Sequence, residues 1–179
     1  MSAGPADAIA AFHAATRTAD PELLAPLFRL AVNAAIAECN ANGLDAVVYE
    51  TYRSNELQAI YYMRGRTVRP PQETVTNAMS NLYSWHGYGL AVDVIHRTKE
   101  WSAGDAWFRH VAEIFKRHGC KWGGDWRNPD LPHFQWGLCR ASPSDRAREL
   151  LRTGGVWSVW EAVGAAGSLP TAAVATTQS

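Results

Sequence analysis

Two histidines and one aspartate lie in sequence settings that suit a bound metal ion. His86 and Asp93 belong to the segment 84–93, and His133 follows an acidic residue, Asp130, by three positions. A catalytic zinc takes three protein ligands and keeps a fourth position open for water, and two imidazoles with one carboxylate supply such a set. The pattern therefore predicts a mononuclear zinc site in a hydrolase.

Asp93 interrupts a short apolar run, residues 90–95, that is typical of a buried strand. A buried carboxylate without a partner costs several kcal/mol, so the run requires either a cation or an ion pair at this position. Gly87 and Gly89 allow tight backbone before the run and would place His86 at its lip, where an open coordination position can face solvent. An ion pair for Asp93 and an ordinary loop role for His86 stay open as the alternative.

Asp130 is the candidate general base. Pro132 disfavours helix at Leu131, so Asp130 and His133 are not expected to share a helix face. An acid on the approach loop can then reach over a metal that His133 binds, and zinc hydrolysis needs such a non-ligand carboxylate to take a proton. The alternative is a turn residue after Asn128 and Pro129, where aspartate is common.

Arg53 is the candidate oxyanion-stabilising cation. Residues 47–49 predict a strand that ends over Glu50–Arg53, and Ser54 is a good N-cap for the helix that follows. A guanidinium fixed between these elements offers a rigid fork of donors to a developing negative charge. A solvated surface arginine is the alternative for this residue taken alone.

These motifs carry a resemblance to a known family. The pattern Ser-x-His-x-x-Gly-x-Ala-x-Asp, followed by acid-x-Pro-His, resembles VanY-type D-alanyl-D-alanine carboxypeptidases and phage L-alanyl-D-glutamate endopeptidases, zinc peptidases of the Hedgehog/DD-peptidase fold. The similarity includes residues 52–54, Gln58 and the segment 122–126, and it covers roughly residues 47–136. It implies that zinc is bound by His86, Asp93 and His133, that Asp130 activates water and protonates the leaving amine, that Arg53 stabilises the oxyanion, and that Ser84, Gln58 and Trp126 contact substrate.

The acid at position 130 bears on which branch of the family the chain resembles. The carboxypeptidase and dipeptidase branches have glutamate there, whereas many phage-type endopeptidases have aspartate, as here. The resemblance thus favours cleavage of peptidoglycan stem peptides between L-alanine and D-glutamate. A D-alanyl-D-alanine carboxypeptidase stays open, because Arg64, Arg66 or Arg69 could bind a terminal carboxylate. Non-catalytic relatives keep zinc only to bind a partner, and the presence of Asp130 and Arg53 argues against that role.

Composition restricts the remaining possibilities. The 179 residues fit one domain, and 17 basic against 17 acidic residues give no argument for a nucleic-acid partner. No stretch approaches 18 apolar residues, so membrane insertion is not expected. We also expect a monomer. Cys39, Cys120 and Cys139 are isolated and predict no disulfide framework. A cysteine-dependent amidase using Cys120 or Cys139 is a third class of function.

The coarse element pattern predicts an α+β domain with a small antiparallel sheet and flanking helices. We expect a loose leader over 1–20, a zinc peptidase domain over 21–160 and a flexible tail over 161–179. The domain would begin with a helix from Pro21 that uses Leu23, Leu27 and Leu30 as part of its apolar face, and its last helix would end at Gly154–Gly155. A long loop over 65–83 would border the cleft.

The first 20 residues bear on location. They contain no basic region before an apolar core, so they do not predict a secretory signal. We therefore expect cytoplasmic synthesis followed by release to the cell wall, as a bacteriophage endolysin is released during lysis with the help of a holin.

Overall fold

The computed structural model describes residues 16–64, 66 and 76–167 of the chain. These residues contain four α-helices and four β-strands. In chain order they are α1 (Pro26–Ala41), β1 (Ala46–Glu50), α2 (Asn55–Met63), β2 (Ala91–His96), α3 (Asp105–Arg117), β3 (Cys120–Trp122), β4 (His133–Trp136) and α4 (Asp145–Ala162).

The four strands form one antiparallel sheet in the order β1-β2-β4-β3. The predicted class, α+β with a small antiparallel sheet, is therefore confirmed. The register places Asp93 of β2 directly opposite His133 of β4. A bulge in β1 between Val48 and Glu50 also brings Glu50 opposite Asp93. Three polar residues from three strands thus meet at one end of the sheet.

The hydrophobic core lies between the sheet and the helices α1 and α3. Val92 and Val94 of β2 are fully buried in it, and the Phe134 ring of β4 lies 4.2 Å from the Phe115 ring of α3, measured between centroids. Because successive side chains in a strand point to opposite faces, Asp93 and His133 face away from this core. Packing of the opposite face of the sheet against the core therefore fixes the position of these two polar residues.

The first helix differs from the prediction in its start and in its buried face. Residues 21–23 form a separate 3-10 turn, and α1 begins only at Pro26. Its buried residues are Phe28, Val32, Ala35 and Cys39. Leu23, Leu27 and Leu30, predicted as part of the apolar face, are 42%, 37% and 62% exposed. The stop between turn and helix rotates the helix so that Phe28, and not the leucines, points into the core.

The C-terminal region also departs from the prediction. The segment Asp145–Ala162 consists of two helical stretches that meet at Gly155, where φ is 71° and ψ is −176°, so the predicted helix does end at Gly154–Gly155 and a second stretch continues to Ala162. The expected flexible tail from residue 161 is packed at its start: Ala165 and Ala166 are buried, and the Ala165 carbonyl accepts a hydrogen bond from the Leu27 amide at 3.0 Å. Residues 168–179 lie outside the described chain.

The predicted leader lies mostly outside the described residues, which begin at residue 16. The part that is described pairs with the end of β1. The Thr51 amide donates to the Thr18 carbonyl at 2.8 Å, and Arg17 lies over the ring of Tyr49 at 3.9 Å. Residues 16–20 are therefore a strap along the free edge of the sheet and not a loose leader.

Candidate metal centre

His86 is held by a tight 3-10 turn, Trp85–Tyr88, that leads into β2. Its Nδ1 lies 2.8 Å from the Thr51 carbonyl oxygen, which can only accept a hydrogen bond. The ring proton is therefore on Nδ1, and the lone pair of Nε2 points to Asp93, whose Oδ1 is 3.3 Å away. His86 lies just before β2, at the predicted lip of the strand, and its side chain is only 1% exposed.

Asp93 and His133 meet His86 from the sheet. Asp93 Oδ1 lies 3.5 Å from His133 Nδ1, and His86 Nε2 lies 3.3 Å from the same His133 nitrogen. One ligand atom from each of the three buried residues falls within 4.8 Å of the others. The structure thus brings together the three residues that the sequence analysis predicted as ligands, from segments up to 47 positions apart.

The charges in this cluster depend on one another. Burial alone would raise the pKa of Asp93, but the charge of His86, hydrogen bonds with both histidines and the charge of Arg53 lower it well below its usual value. Burial would likewise lower the pKa of His133, but its hydrogen bond to Asp93 and the charges of Asp93 and Asp130 raise it. The Asp93 oxygen and the two histidine nitrogens that face it therefore share a cation, either a proton, as in these hydrogen bonds, or a metal ion.

Arg53 lies behind Asp93 and is almost fully buried. Its Nη2 donates to Asp93 Oδ2 at 3.2 Å, its Nε donates to Glu50 Oε2 at 2.9 Å, and a second bond joins Nη2 to Glu50. Burial works to lower the pKa of the guanidinium, but the charges of Asp93 and Glu50 outweigh it and raise that pKa. The arrangement leaves Oδ1 of Asp93, the oxygen that faces both histidines, clear of Arg53.

Gln58, predicted to contact substrate, is placed differently. It is fully buried in α2; its Oε1 accepts from Arg53 Nη1 at 3.1 Å, and its Nε2 donates to the Ala78 carbonyl at 2.7 Å. The side-chain amide is therefore used within the protein, since both of its ends have protein partners. Gln58 fixes Arg53 and ties α2 to the described end of the 65–83 loop, of which residues 65 and 67–75 lie outside the described chain.

Asp130 lies on the loop that approaches the three clustered residues. The Asp130 amide donates to the Gly123 carbonyl at 3.0 Å, and the His133 amide donates to the Asp130 carbonyl at 3.3 Å. A side chain at Gly123 would collide with Asp130, so the glycine lets this loop close over β4. Asp130 is exposed as a residue, yet desolvation of its carboxyl group and the like charge of Asp93 raise the pKa of Asp130.

Two further predicted site residues border the cluster. The Trp126 ring lies 5.0 Å from the His133 ring, measured between centroids, and is half-buried. Ser84 lies two residues before His86, half-buried, where the turns 81–83 and 85–88 meet. Trp126 therefore lies against a predicted ligand, and Ser84 lies on the segment that leads into His86.

The cysteines do not suit nucleophilic catalysis. All three thiols are free and buried. Burial raises the pKa of Cys120 and Cys139 to about 12, and that of Cys39 to about 11. A cysteine nucleophile needs an accessible thiol with a lowered pKa. The structure therefore disfavours the cysteine-dependent amidase.

Sequence reasoning did not single out Glu50, Thr51 or Gln135. Glu50 is a buried acid that pairs with Arg53, Thr51 offers only its backbone carbonyl to His86, and Gln135 accepts from His133. Two of these had a signal in the sequence: Glu50 ends an apolar strand three residues before Arg53, and Gln135 follows His133 by the two-residue period of a strand. Thr51 had none, because a backbone contact leaves no trace in residue type.

Comparisons with known proteins find peptidases as relatives. A family described as D-alanyl-D-alanine carboxypeptidase matches residues 77–136. The peptidoglycan L-alanyl-D-glutamate endopeptidase CwlK of Bacillus subtilis is 33% identical over 127 residues, 64% of this chain and 74% of CwlK. An L-alanyl-D-glutamate peptidase of Listeria phage A118 is 32% identical over 102 residues, 54% of this chain but only 32% of the phage protein.

A solved structure also aligns with the chain. It is the crystal structure of the Serratia marcescens L-Ala D-Glu endopeptidase ChiX, with 24% identity and a TM-score of 0.43 over 65% of this chain and 79% of that one. Among the helices that the structure describes, none has the length and apolar character needed to span a membrane.

Proposed function

The chain belongs to the metallopeptidase family that contains the D-alanyl-D-alanine carboxypeptidases and the L-alanyl-D-glutamate endopeptidases, and we propose that it is a zinc-dependent hydrolase of peptidoglycan stem peptides. The observation that carries the proposal is the convergence of His86, Asp93 and His133, whose ligand atoms lie within 4.8 Å of one another. Asp130 lies on the loop beside them and would supply the proton transfer that peptide hydrolysis needs, while Arg53, whose donors bind Glu50, Gln58 and Asp93, would contribute its positive charge.

The three side chains fit zinc better than a hard cation. Two imidazole nitrogens and one carboxylate form a borderline donor set, whereas magnesium and calcium prefer oxygen ligands alone. His86 has a hydrogen-bond acceptor behind its ring, and Asp93 has Arg53 behind its second oxygen, as ligands of bound metals have. When bound, zinc would supply Lewis acidity that polarises the scissile carbonyl and makes water more acidic.

Asp130 would act as the general base and then as the general acid. Its raised pKa makes the carboxylate a better proton acceptor than an aspartate of ordinary pKa, and its exposure gives water access to it. We propose that Asp130 takes a proton from the attacking water and delivers it to the leaving amine. Arg53 would stabilise the oxyanion through its positive charge, while Ser84 and Trp126 would orient the peptide.

We propose cleavage between L-alanine and D-glutamate. The named activities of CwlK and of the phage relative support that bond, and so does aspartate at position 130. The carboxypeptidase alternative is favoured by the description of the family that matches residues 77–136. Among the cations considered for a terminal carboxylate, Arg66 donates to the Tyr62 and Thr76 carbonyls, and Arg64 lies over the Tyr61 ring. Arg69 is outside the described residues.

Digestion of purified peptidoglycan, followed by mass spectrometry of the soluble products, tests the bond. An endopeptidase would release peptides that begin with D-glutamate and leave L-alanine on the glycan. Loss of only a terminal D-alanine would show the carboxypeptidase instead. The matched control is the His133→Ala variant, which should release neither product.

Metal content separates a zinc enzyme from its alternatives. We expect close to one zinc per chain, lost in His86→Ala, Asp93→Ala and His133→Ala, and activity that a chelator removes and zinc restores. A protein that binds zinc but leaves peptidoglycan intact would be the non-catalytic relative. Full activity in the presence of a chelator would contradict the proposal altogether.

We propose that the protein acts as a monomer on the cell wall during phage lysis. All the site residues come from one chain, so a second copy is not needed for the chemistry. The phage relative supports the setting. Sedimentation would test the monomer, and detection of the protein in the periplasm of intact, uninfected cells would contradict release by lysis.

A further inference from the structure

Gln135 is a fully buried amide in β4, two residues after His133 and on the same face of the sheet. Its Oε1 lies 3.3 Å from His133 Nε2, and its Nε2 lies 2.6 Å from the carbonyl oxygen of Arg140. The amide thus bridges a proposed metal ligand and the backbone of the chain that follows the strand.

The Arg140 carbonyl determines which way the amide points. A carbonyl oxygen can only accept, so it must face the NH₂ group of Gln135 and not its oxygen. The same carbonyl accepts from Trp85 Nε1 at 2.7 Å, which holds it in place. The Oε1 atom of Gln135 must therefore face His133, and since this oxygen also only accepts, His133 Nε2 must carry the proton.

When the ring is neutral, a proton on Nε2 leaves Nδ1 of His133 as the nitrogen with the lone pair. That nitrogen is the one that lies 3.5 Å from Asp93 Oδ1 and 3.3 Å from His86 Nε2. His86 is arranged in the opposite sense, because the Thr51 carbonyl holds the proton on Nδ1 and frees Nε2. The two histidines therefore need different tautomers, and each has its own acceptor.

We propose that Gln135 is a positioning residue that sets the tautomer and ring orientation of His133 and thereby raises the affinity of the site for a divalent metal ion. The inference rests on the proposed metal site and extends it to a residue outside the ligand set. Partners of this kind behind a ligating histidine typically change metal affinity by about 10–100-fold.

Nitrogen NMR of the metal-free protein tests the tautomer directly. At a pH where titration of the same signals shows His133 neutral, wild-type protein should show the proton on Nε2. The Gln135→Met variant keeps the bulk of the side chain but removes the acceptor, so it should show a mixture of tautomers and bind zinc about 10–100-fold more weakly in competition with a chelator.

The Gln135→Glu variant separates the tautomer from packing. A carboxylate still accepts from His133 Nε2 but can no longer donate to Arg140, so this variant should keep the Nε2-protonated ring and near wild-type zinc affinity. The control is Lys121→Met, which removes a hydrogen bond to the Cys139 carbonyl in the same segment. Lys121→Met should change neither the tautomer of His133 nor the zinc affinity.

Three results would overturn the inference: a proton on Nδ1 of His133 in wild type, equal loss of zinc affinity in Gln135→Met and Gln135→Glu, or unchanged affinity in Gln135→Met. A wild-type protein that binds no zinc would refute the proposed function, and with it the claim on affinity. The tautomer would still be decided by the wild-type spectrum, even if neither variant folded.

Discussion

Asp93 uses its two oxygens for different purposes. Oδ2 accepts from Arg53, while Oδ1 faces His86 and His133. A buried carboxylate is stable only where such partners compensate its lost hydration. Arg53 in turn pairs with Glu50, a buried acid that lies outside the cluster of proposed ligands.

The role proposed for Asp130 can be separated from metal binding. Asp130→Asn should keep the fold and the metal but lower the rate of peptide hydrolysis by about 10²–10⁴-fold, because the amide cannot accept the proton. Asp125→Asn is the matched control, since Asp125 is an exposed acid nearby that pairs with Lys116 at 2.6 Å. Near wild-type turnover by Asp130→Asn would mean that another group is the base.

The pair of Glu50 with Arg53 should dominate local stability. Glu50→Gln removes one of two carboxylates around a buried guanidinium, so the free energy of unfolding should fall by about 3 kcal/mol. Asp45→Asn breaks the exposed pair with Arg97 and should cost under about 1 kcal/mol. Urea unfolding of both variants gives the comparison, and equal losses would show that burial of the Glu50 pair does not matter.

At the scale of elements, the turn Trp85–Tyr88 determines where His86 lies. Gly89 ends this turn in the left-handed region, at φ 63°. A Cβ at that position would also overlap the Leu23 carbonyl oxygen. The turn before β2 therefore depends both on glycine conformation and on the close approach of the chain before α1.

Two glycine variants separate these effects. Gly43 has φ 73° but no neighbouring atom within 4 Å of the position that a Cβ would take, so Gly43→Ala should cost only the left-handed penalty of about 1–2 kcal/mol. Gly89→Ala should cost clearly more and should also weaken metal binding, because the turn must shift. Unfolding and zinc titration of both variants provide the measurement. Equal losses of stability would mean that the Leu23 contact relaxes freely.

At the scale of the whole molecule, the cluster should make stability depend on pH. The pKa of His133 is raised in the folded state, so its contribution is fully present below the unfolded value of 6.5 and is lost as the pH rises through the folded pKa. The raised pKa of Asp130 acts in the same direction above 3.8. Asp93, with a lowered pKa, adds stability above 3.8 that is lost only in strong acid.

Metal-free protein should therefore lose stability between about pH 6 and about pH 9, by more than His133→Ala does over the same interval. Zinc should reverse the sign, because it binds neutral imidazole and its affinity increases as protons leave. Urea unfolding at both pH values, with and without zinc, measures the four cases. A pH dependence unchanged by His133→Ala would show that other groups cause it.

The sequence by itself determined the residue types of the site and the class of the fold. Asp93 in an apolar strand, His86 before it and His133 after Asp130 are local patterns, and local spacing reports on strands, turns and donor chemistry. The same patterns predicted the wrong buried face for α1. Leu23 lies in a separate 3-10 turn and Leu27 lies in α1, so the two residues are not spaced along one continuous helix.

Only the tertiary structure decided how these groups are held. The acceptor for His86 is a backbone carbonyl 35 positions away, and the partner of Arg53 across the sheet is 40 positions away. Such pairs depend on strand register and on a bulge in β1, which follow from packing of the whole core. The sequence could therefore name three candidate ligands and a candidate base, whereas the burial of His86 and the inward role of Gln58 required the folded chain.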